Sequence, residues 1–312
     1  MIAKGNRLGR ASSCRADRRG SPALPPHHAN RRRTLQEKKE LRAVDFSIPR
    51  SSLQRKAERT MSLERERTMI SAATTAARLG RLHEVMTRYV KSGAVPGLVI
   101  LVSERGEPQV DTIGTMGVGV TAPIRRDTIF RIASMTKPIT AAAAMILVEE
   151  SKLHLDEAVD RLLPELANRR VLRRVDGALD DTVPARRAIT VRDLLTFRMG
   201  FGLLWGPQDA HPIQRAANDL QLVAFGPPQP REQPPPDEWL RRFATLPLMH
   251  QPGEAWLYNT GFEVLGVLIA RAAGQPLEAF MRERIFEPLG MNDTAFSVPS
   301  SKIDRLPPSY ML

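Results

Sequence analysis

The sequence predicts an α/β fold: an antiparallel sheet flanked by helices, with a helical subdomain inserted. Three observations lead there. Two strand-like stretches, the first a run of β-branched and aliphatic residues, read with the turn between them as a β-hairpin at 97–119. An amphipathic helix precedes it, and nearly everything after it carries helical periodicity broken by proline and glycine. The 312 residues are 42% hydrophobic, enough for a real core, and no apolar run approaches the ~18 residues that suggest a membrane span.

In chain order, residues 1–60 read as a disordered basic tail. They hold 16 of the 46 Lys/Arg and 5 of the 34 Asp/Glu, so nearly all of the +12 net charge sits there and the remainder is close to neutral. Low hydrophobicity with high net charge does not offset ordering entropy. A nucleic-acid arm is one reading of such a tail, but Phe46 is its sole aromatic, which leaves no stacking platform. A targeting extension, or upstream sequence ahead of a start at Met61 or Met69, are two others. The folded domain is expected over 61–312. AARLGRLHEVMTRYVKSG (76–93) places Leu79, Leu82, Val85, Met86, Tyr89 and Val90 on one face and ends at Gly93. GLVILVSERGEPQVDTIGTMGVG (97–119) gives two strands turning at Arg105-Gly106-Glu107-Pro108.

A strong helix follows through AAAAMILVEE, then short helices at DEAVDRLLPEL (156–166) and ITVRDLLTF (189–197), the latter capped by Thr190. GPPQPREQPPP (226–236) is a proline-rich loop, either a wall over a site or a surface excursion. Three further helices run through DEWLRRFATL, NTGFEVLGVLIARAAG and PLEAFMRERIF, with Gly274 ending the second and Pro276 opening the third.

FRIASMTKPIT (130–140) carries the chemistry. Ser134 and Lys137 are three residues apart and share a face if a helix starts there. Pro138 is tolerated because first-turn amides have no helical partner. A serine at a helix head has the positive dipole end beside it, and its backbone N–H can face a developing oxyanion. Its hydroxyl still needs a base, and a lysine serves only where desolvation or a nearby charge favours the neutral amine. The motif alone decides little: one S-x-x-K is roughly the chance expectation for such a chain, and this chain has one. A capped helix followed by a solvated lysine is the competing account.

The flanking text is more specific. DTIFRIASMTKPITAAAAMILVEESKLHLDEAV, ITVRDLLTF, QPGEAWLYNTGFEVLGVLI and FEPLGMNDTAF, in that order, resemble the β-lactamase-related serine hydrolases. That family spans class C β-lactamases, related esterases and acyltransferases, and penicillin-binding DD-peptidases. The resemblance covers about 80–312 and implies a β-lactamase/DD-peptidase-like fold. It implies that Ser134 is acylated, that Lys137 is its base, and that Tyr258, after the Pro252-Gly253 turn, relays protons. In the family's Tyr-x-Asn motif the amide stands two residues after the tyrosine. Here that position is Thr260, and Asn259 comes one residue early. Either the loop is one residue shorter or Thr260 replaces the amide, so Asn259 is a substrate-contact candidate with a helix cap as its other reading.

The family's third motif is a Lys-Thr-Gly, His-x-Gly or Trp-x-Gly strand that carries the second oxyanion donor. No such triplet follows Tyr258. The expectation is therefore a member cut short at its C terminus, its last strands missing. The leading function is a serine hydrolase working through an acyl-enzyme on a small-molecule ester or amide, esters ahead of β-lactams. A catalytically impaired member, or a nucleic-acid-associated protein acting through its tail, are the alternatives.

Other chemistries find no support. There is no G-x-S-x-G elbow, no H-E-x-x-H and only one cysteine, Cys14; the six histidines are scattered, and GTMGVG (114–119) lacks the P-loop lysine. No cofactor, metal or membrane partner is expected, nor is nucleic acid. No apolar h-region follows the basic start, so a cytoplasmic location is expected.

Overall fold

The computed structural model describes residues 50–104, 106–207, 209–223 and 233–310. The chain divides into two compact units, Met1–Thr75 and Ala76–Leu312. The first is described from Arg50, where α1 (Arg50–Lys91) begins. The expected tail thus lies outside the described residues up to 49. From Arg50 onward the backbone is helical instead of disordered, and the helix that the periodicity placed at 76–93 starts well before it. The reason is local: Ala, Arg, Glu, Leu and Met dominate 53–80, and these residues favour helix whether or not a face is buried.

In the second unit, Gly93 (φ 76°) ends the α1 turn. β1 (Gly97–Glu104) and β2 (Glu107–Gly114) then pair antiparallel, from Gly97 opposite Gly114 to Glu104 opposite Glu107. His83 on α1 meets Asp111 on β2 at 2.7 Å, tying helix to hairpin. After a 3₁₀ turn at Ala133–Met135 comes α2 (Thr136–Glu149). DEAVDRLLPEL forms two 3₁₀ turns, Val159–Arg161 and Pro164–Leu166, instead of one helix, because Pro164 has no N–H to continue it. A small antiparallel pair, β3 (Arg170–Leu172) and β4 (Thr182–Pro184), follows. Then come α3 (Val191–Leu195), α4 (Pro212–Asp219), α5 (Pro236–Ala244), α6 (Thr260–Ala273) and α7 (Leu277–Met281), the last continuing as a π-turn through Phe286. Most of the proline-rich loop, 224–232, lies outside the described residues. Among the described residues no single helix is long and apolar enough to cross a membrane.

The core forms where α2 packs on α6, and α6 in turn on α3, α5 and α7. Ala143, Ala144 and Leu147 of α2 are fully buried, as are Val264, Leu265 and Ile269 of α6 and Leu240 and Phe243 of α5. Two alanines on the buried face of α2 let the helix axes come close. Gly261 serves the same end on α6: a Cβ there would meet the Leu194 carbonyl oxygen at 3.0 Å. A C-terminal brace crosses back to the segment leading into the 3₁₀ turn. Ile129 N–H donates to the Arg305 carbonyl (2.9 Å), and Arg131 donates to the Pro307 carbonyl (2.7 Å). Arg305 also pairs with Asp293 at 2.6 Å. Hydrogen bonds from Arg305 and Lys302 hold the Asp293 carboxyl down at about 2.

α3 is only five residues long and depends on its cap. Thr190 and Asp193 form a reciprocal capping box, and Arg187 grips the same carboxylate with two bonds at 2.5 and 2.9 Å. Burial pushes the Asp193 carboxyl up, but the Arg187 and Thr190 hydrogen bonds outweigh it and leave it below the usual carboxylate range. The stabilisation is therefore present near neutral pH and is lost as pH falls through that range and below. Asp193→Ala is expected to cost about 2–3 kcal/mol in urea unfolding, less than the roughly 3–5 kcal/mol of a fully buried pair because Arg187 is half exposed. Asp193→Asn should fall between the variant and wild type; a loss under about 0.5 kcal/mol for the alanine variant would contradict this account of the cap.

Candidate active site

Ser134 sits in the 3₁₀ turn that opens α2. The residue before it, Ala133, stands at φ 42°, a left-handed conformation uncommon without a glycine. That kink lifts Ser134 onto the surface at the helix head. One turn on, Lys137 is half-buried, and its Nζ donates to Ser134 Oγ at 3.1 Å. The two residues paired by their spacing are therefore paired in space.

Tyr258 reaches the same point from far along the chain. Its backbone is clamped on both sides: Leu203 N–H donates to the Tyr258 carbonyl, and Leu257 N–H to the Phe197 carbonyl, each at 2.8 Å. Gly202 is needed for this approach, since a Cβ would lie 2.6 Å from the carbonyl oxygens of Leu257 and Tyr258. The Tyr258 ring lies with its centroid 4.6 Å from Lys137 Nζ. Hydrogen bonds with Ser134 and then Lys137, joined by the Lys137 charge, hold the phenol below the usual tyrosine range against an opposing desolvation. Three candidates thus converge: a hydroxyl, an amine and a phenol of lowered proton affinity. The arrangement can take a proton from Ser134 Oγ as it attacks a carbonyl, and the first-turn N–H of Ser134 can face the resulting oxyanion.

Asn259, the fourth candidate, is the residue at the head of α6, but its side chain makes no capping hydrogen bond. Instead its Nδ2 donates to Glu263 Oε1 at 2.9 Å. The sequence reading did not single out Glu263, nor the aromatic wall around Tyr258. Phe197 (φ 58°) is the hub of that wall, with ring centroids 5.7 Å from Trp256, 5.3 Å from Tyr258 and 4.8 Å from Phe262. Trp256 stacks on Tyr258 at 5.8 Å and remains 57% exposed, and Met135 beside the serine is 69% exposed. The Trp-x-Tyr spacing and a glutamate four residues after Asn259 were the available signals. Among the described residues no His, Cys, Asp and Glu group is arranged to hold a metal ion.

Comparison with known proteins finds relatives along most of the second unit. The family model described as Beta-lactamase matches residues 82–311. Protein Rv1367c of Mycobacterium tuberculosis is 43% identical over 222 residues, covering 71% of this chain and 52% of that protein. Esterase EstB of Burkholderia gladioli is 34% identical over 240 residues, covering 75% of this chain and 55% of its own. Among solved structures, EstCE1, a hydrolase with promiscuous acyltransferase activity, aligns with a TM-score of 0.61 at 27% identity, covering 73% of this chain and 55% of that one. The chain spans about half the length of the curated relatives it matches.

The lowered phenol gives a direct readout. In an ultraviolet absorbance titration of the wild type, one tyrosine should ionise below the usual range of about 10. Tyr258→Phe should remove that step, and Lys137→Met should move it upward. An identical titration curve in Lys137→Met would contradict the contact.

Proposed function

The chain belongs to the β-lactamase family, and from that premise we propose that it is a serine hydrolase acting through an acyl-enzyme on small-molecule esters or amides, esters ahead of β-lactams. The observation that carries this reading is the convergence of Ser134 Oγ, Lys137 Nζ and the Tyr258 phenol at the heads of two packed helices. Esterase and acyltransferase relatives support the reaction class, and EstB and EstCE1 support the preference for esters.

In the proposed cycle Ser134 Oγ attacks the substrate carbonyl carbon while its proton passes to Lys137, with Tyr258 relaying it onward. The Ser134 backbone N–H at the head of α2 receives the oxyanion, a contribution of the kind that is worth about 10²–10³ in rate per donor. Collapse breaks the bond to the alcohol or amine, which leaves with the relayed proton. Water then attacks the acyl carbonyl carbon and gives a proton to the Lys137–Tyr258 pair; the bond to Ser134 Oγ breaks, Oγ takes that proton, and the acid leaves. The exposed Met135 and Trp256 supply apolar surface beside the nucleophile on which an acyl chain could rest.

A fluorophosphonate probe should label Ser134 in the folded chain, and Ser134→Ala should abolish labelling. Lys137→Ala and Tyr258→Phe should each slow it by roughly 10²-fold or more. A nitrophenyl ester of a short acid should be turned over faster than a chromogenic cephalosporin. A folded wild type that stays unlabelled contradicts the acyl-enzyme reading, and labelling that survives Ser134→Ala contradicts the site.

A further inference from the structure

Asn259, directly after Tyr258, stands at φ 82° and ψ −73°. This is the rare, strained γ-turn region, which non-glycine residues seldom occupy. Such strain persists only where the surroundings enforce it. On the N-terminal side the clamp on Leu257 and Tyr258 enforces it. On the C-terminal side two bonds do. Phe262 N–H donates to the Asn259 carbonyl at 2.9 Å, and the Asn259 amide donates to Glu263 Oε1 at 2.9 Å. Glu263 is the side chain that ties the strained residue to the first turn of α6.

The same carboxyl lies in the field of Lys137 on α2. Charged groups on the other elements packed against α6 are engaged elsewhere. On α3, Asp193 is held by Arg187 and Arg192 by Asp156. On α5, Asp237 is held by Arg271 of α6 itself, and Glu238 by Arg241 and Arg242. In the π-turn after α7, Arg284 pairs with Glu150. Glu278 on α7 also carries charge. Among all of these, Lys137 is the one whose charge acts on Glu263.

We propose that Glu263 is a positioning residue for acylation: through Asn259 it holds the turn that aims Tyr258 at Ser134. This rests on the acyl-enzyme reading above and adds to it a residue that touches neither substrate nor nucleophile. The crowd of protein around the carboxyl pushes it up to about 7, with the Lys137 charge and the Asn259 bond opposing. The side chain still opens to solvent, and water at that side moderates the rise.

The test is the rate of fluorophosphonate labelling of Ser134 in the full chain and in two variants. Glu263→Gln keeps an acceptor oxygen for Asn259, whereas Glu263→Ala loses it. Because Glu263 is solvent-exposed, both variants are expected to fold. Glu263→Ala should label roughly tenfold more slowly than the wild type, and Glu263→Gln should restore most of that rate. A labelled wild type matched by the alanine variant, or a glutamine variant as slow as the alanine one, overturns this inference alone. A folded wild type without labelling overturns the acyl-enzyme reading, and this inference with it.

Discussion

The packing of α2 against α6 is the constraint on which the rest depends. Ser134 and Lys137 belong to the head of one helix, and Tyr258 lies just before the head of the other. No local rule brings these heads together. What does so is the burial of Ala143, Ala144 and Leu147 against a fully buried face of α6 containing Val264, Leu265 and Ile269. Each large aliphatic side chain buried this way contributes about 1.5–3 kcal/mol. The small alanines fix how near the helices lie, and so how far Lys137 Nζ stands from the Tyr258 ring. The geometry of the candidate site is thus set by apolar packing about two to three turns below it.

Backbone strain gathers around that junction. Ala133, Phe197 and Asn259 all have positive φ, at 42°, 58° and 82°. The first precedes the nucleophile, the third follows the phenol, and the second is the hub of the rings beside it. Strain of about 1–3 kcal/mol at each residue needs an opposing source. At Phe197 the source is visible: three aromatic contacts and a hydrogen bond accepted from Leu257. At Asn259 it is the Glu263 bond. The arrangement orders the three candidate groups before any substrate arrives, which is how the proposed site would contribute to rate.

Much of this was legible in the sequence wherever the governing interaction is short-ranged. The hairpin followed from two strand-like stretches around a turn, the Thr190 cap from a threonine standing just before VRDLL, the end of α6 from Gly274, and the Ser134–Lys137 pair from a three-residue interval. The misses have physical reasons. β3 and β4 have three residues each, too few for a period to show. DEAVDRLLPEL carried a helical pattern that Pro164 interrupts. α1 extends back through residues chosen by propensity more than by a buried face. The convergence of Tyr258 with the pair came from resemblance to a family, since no spacing encodes a contact between distant segments. Glu263 was invisible for a related reason. An acidic residue in the first turn of a helix is ordinary, and only the conformation of Asn259 and the position of Lys137 make this one distinctive.

The most direct test of the account is the mass of the chain caught during turnover. Wild-type protein mixed with a nitrophenyl ester and quenched in acid before the steady state decays should carry one acyl group, located by peptide mass on the fragment containing Ser134. Ester consumption with no covalent adduct, or with the acyl group on another residue, would contradict the central claim that Ser134, Lys137 and Tyr258 form one acyl-transfer site.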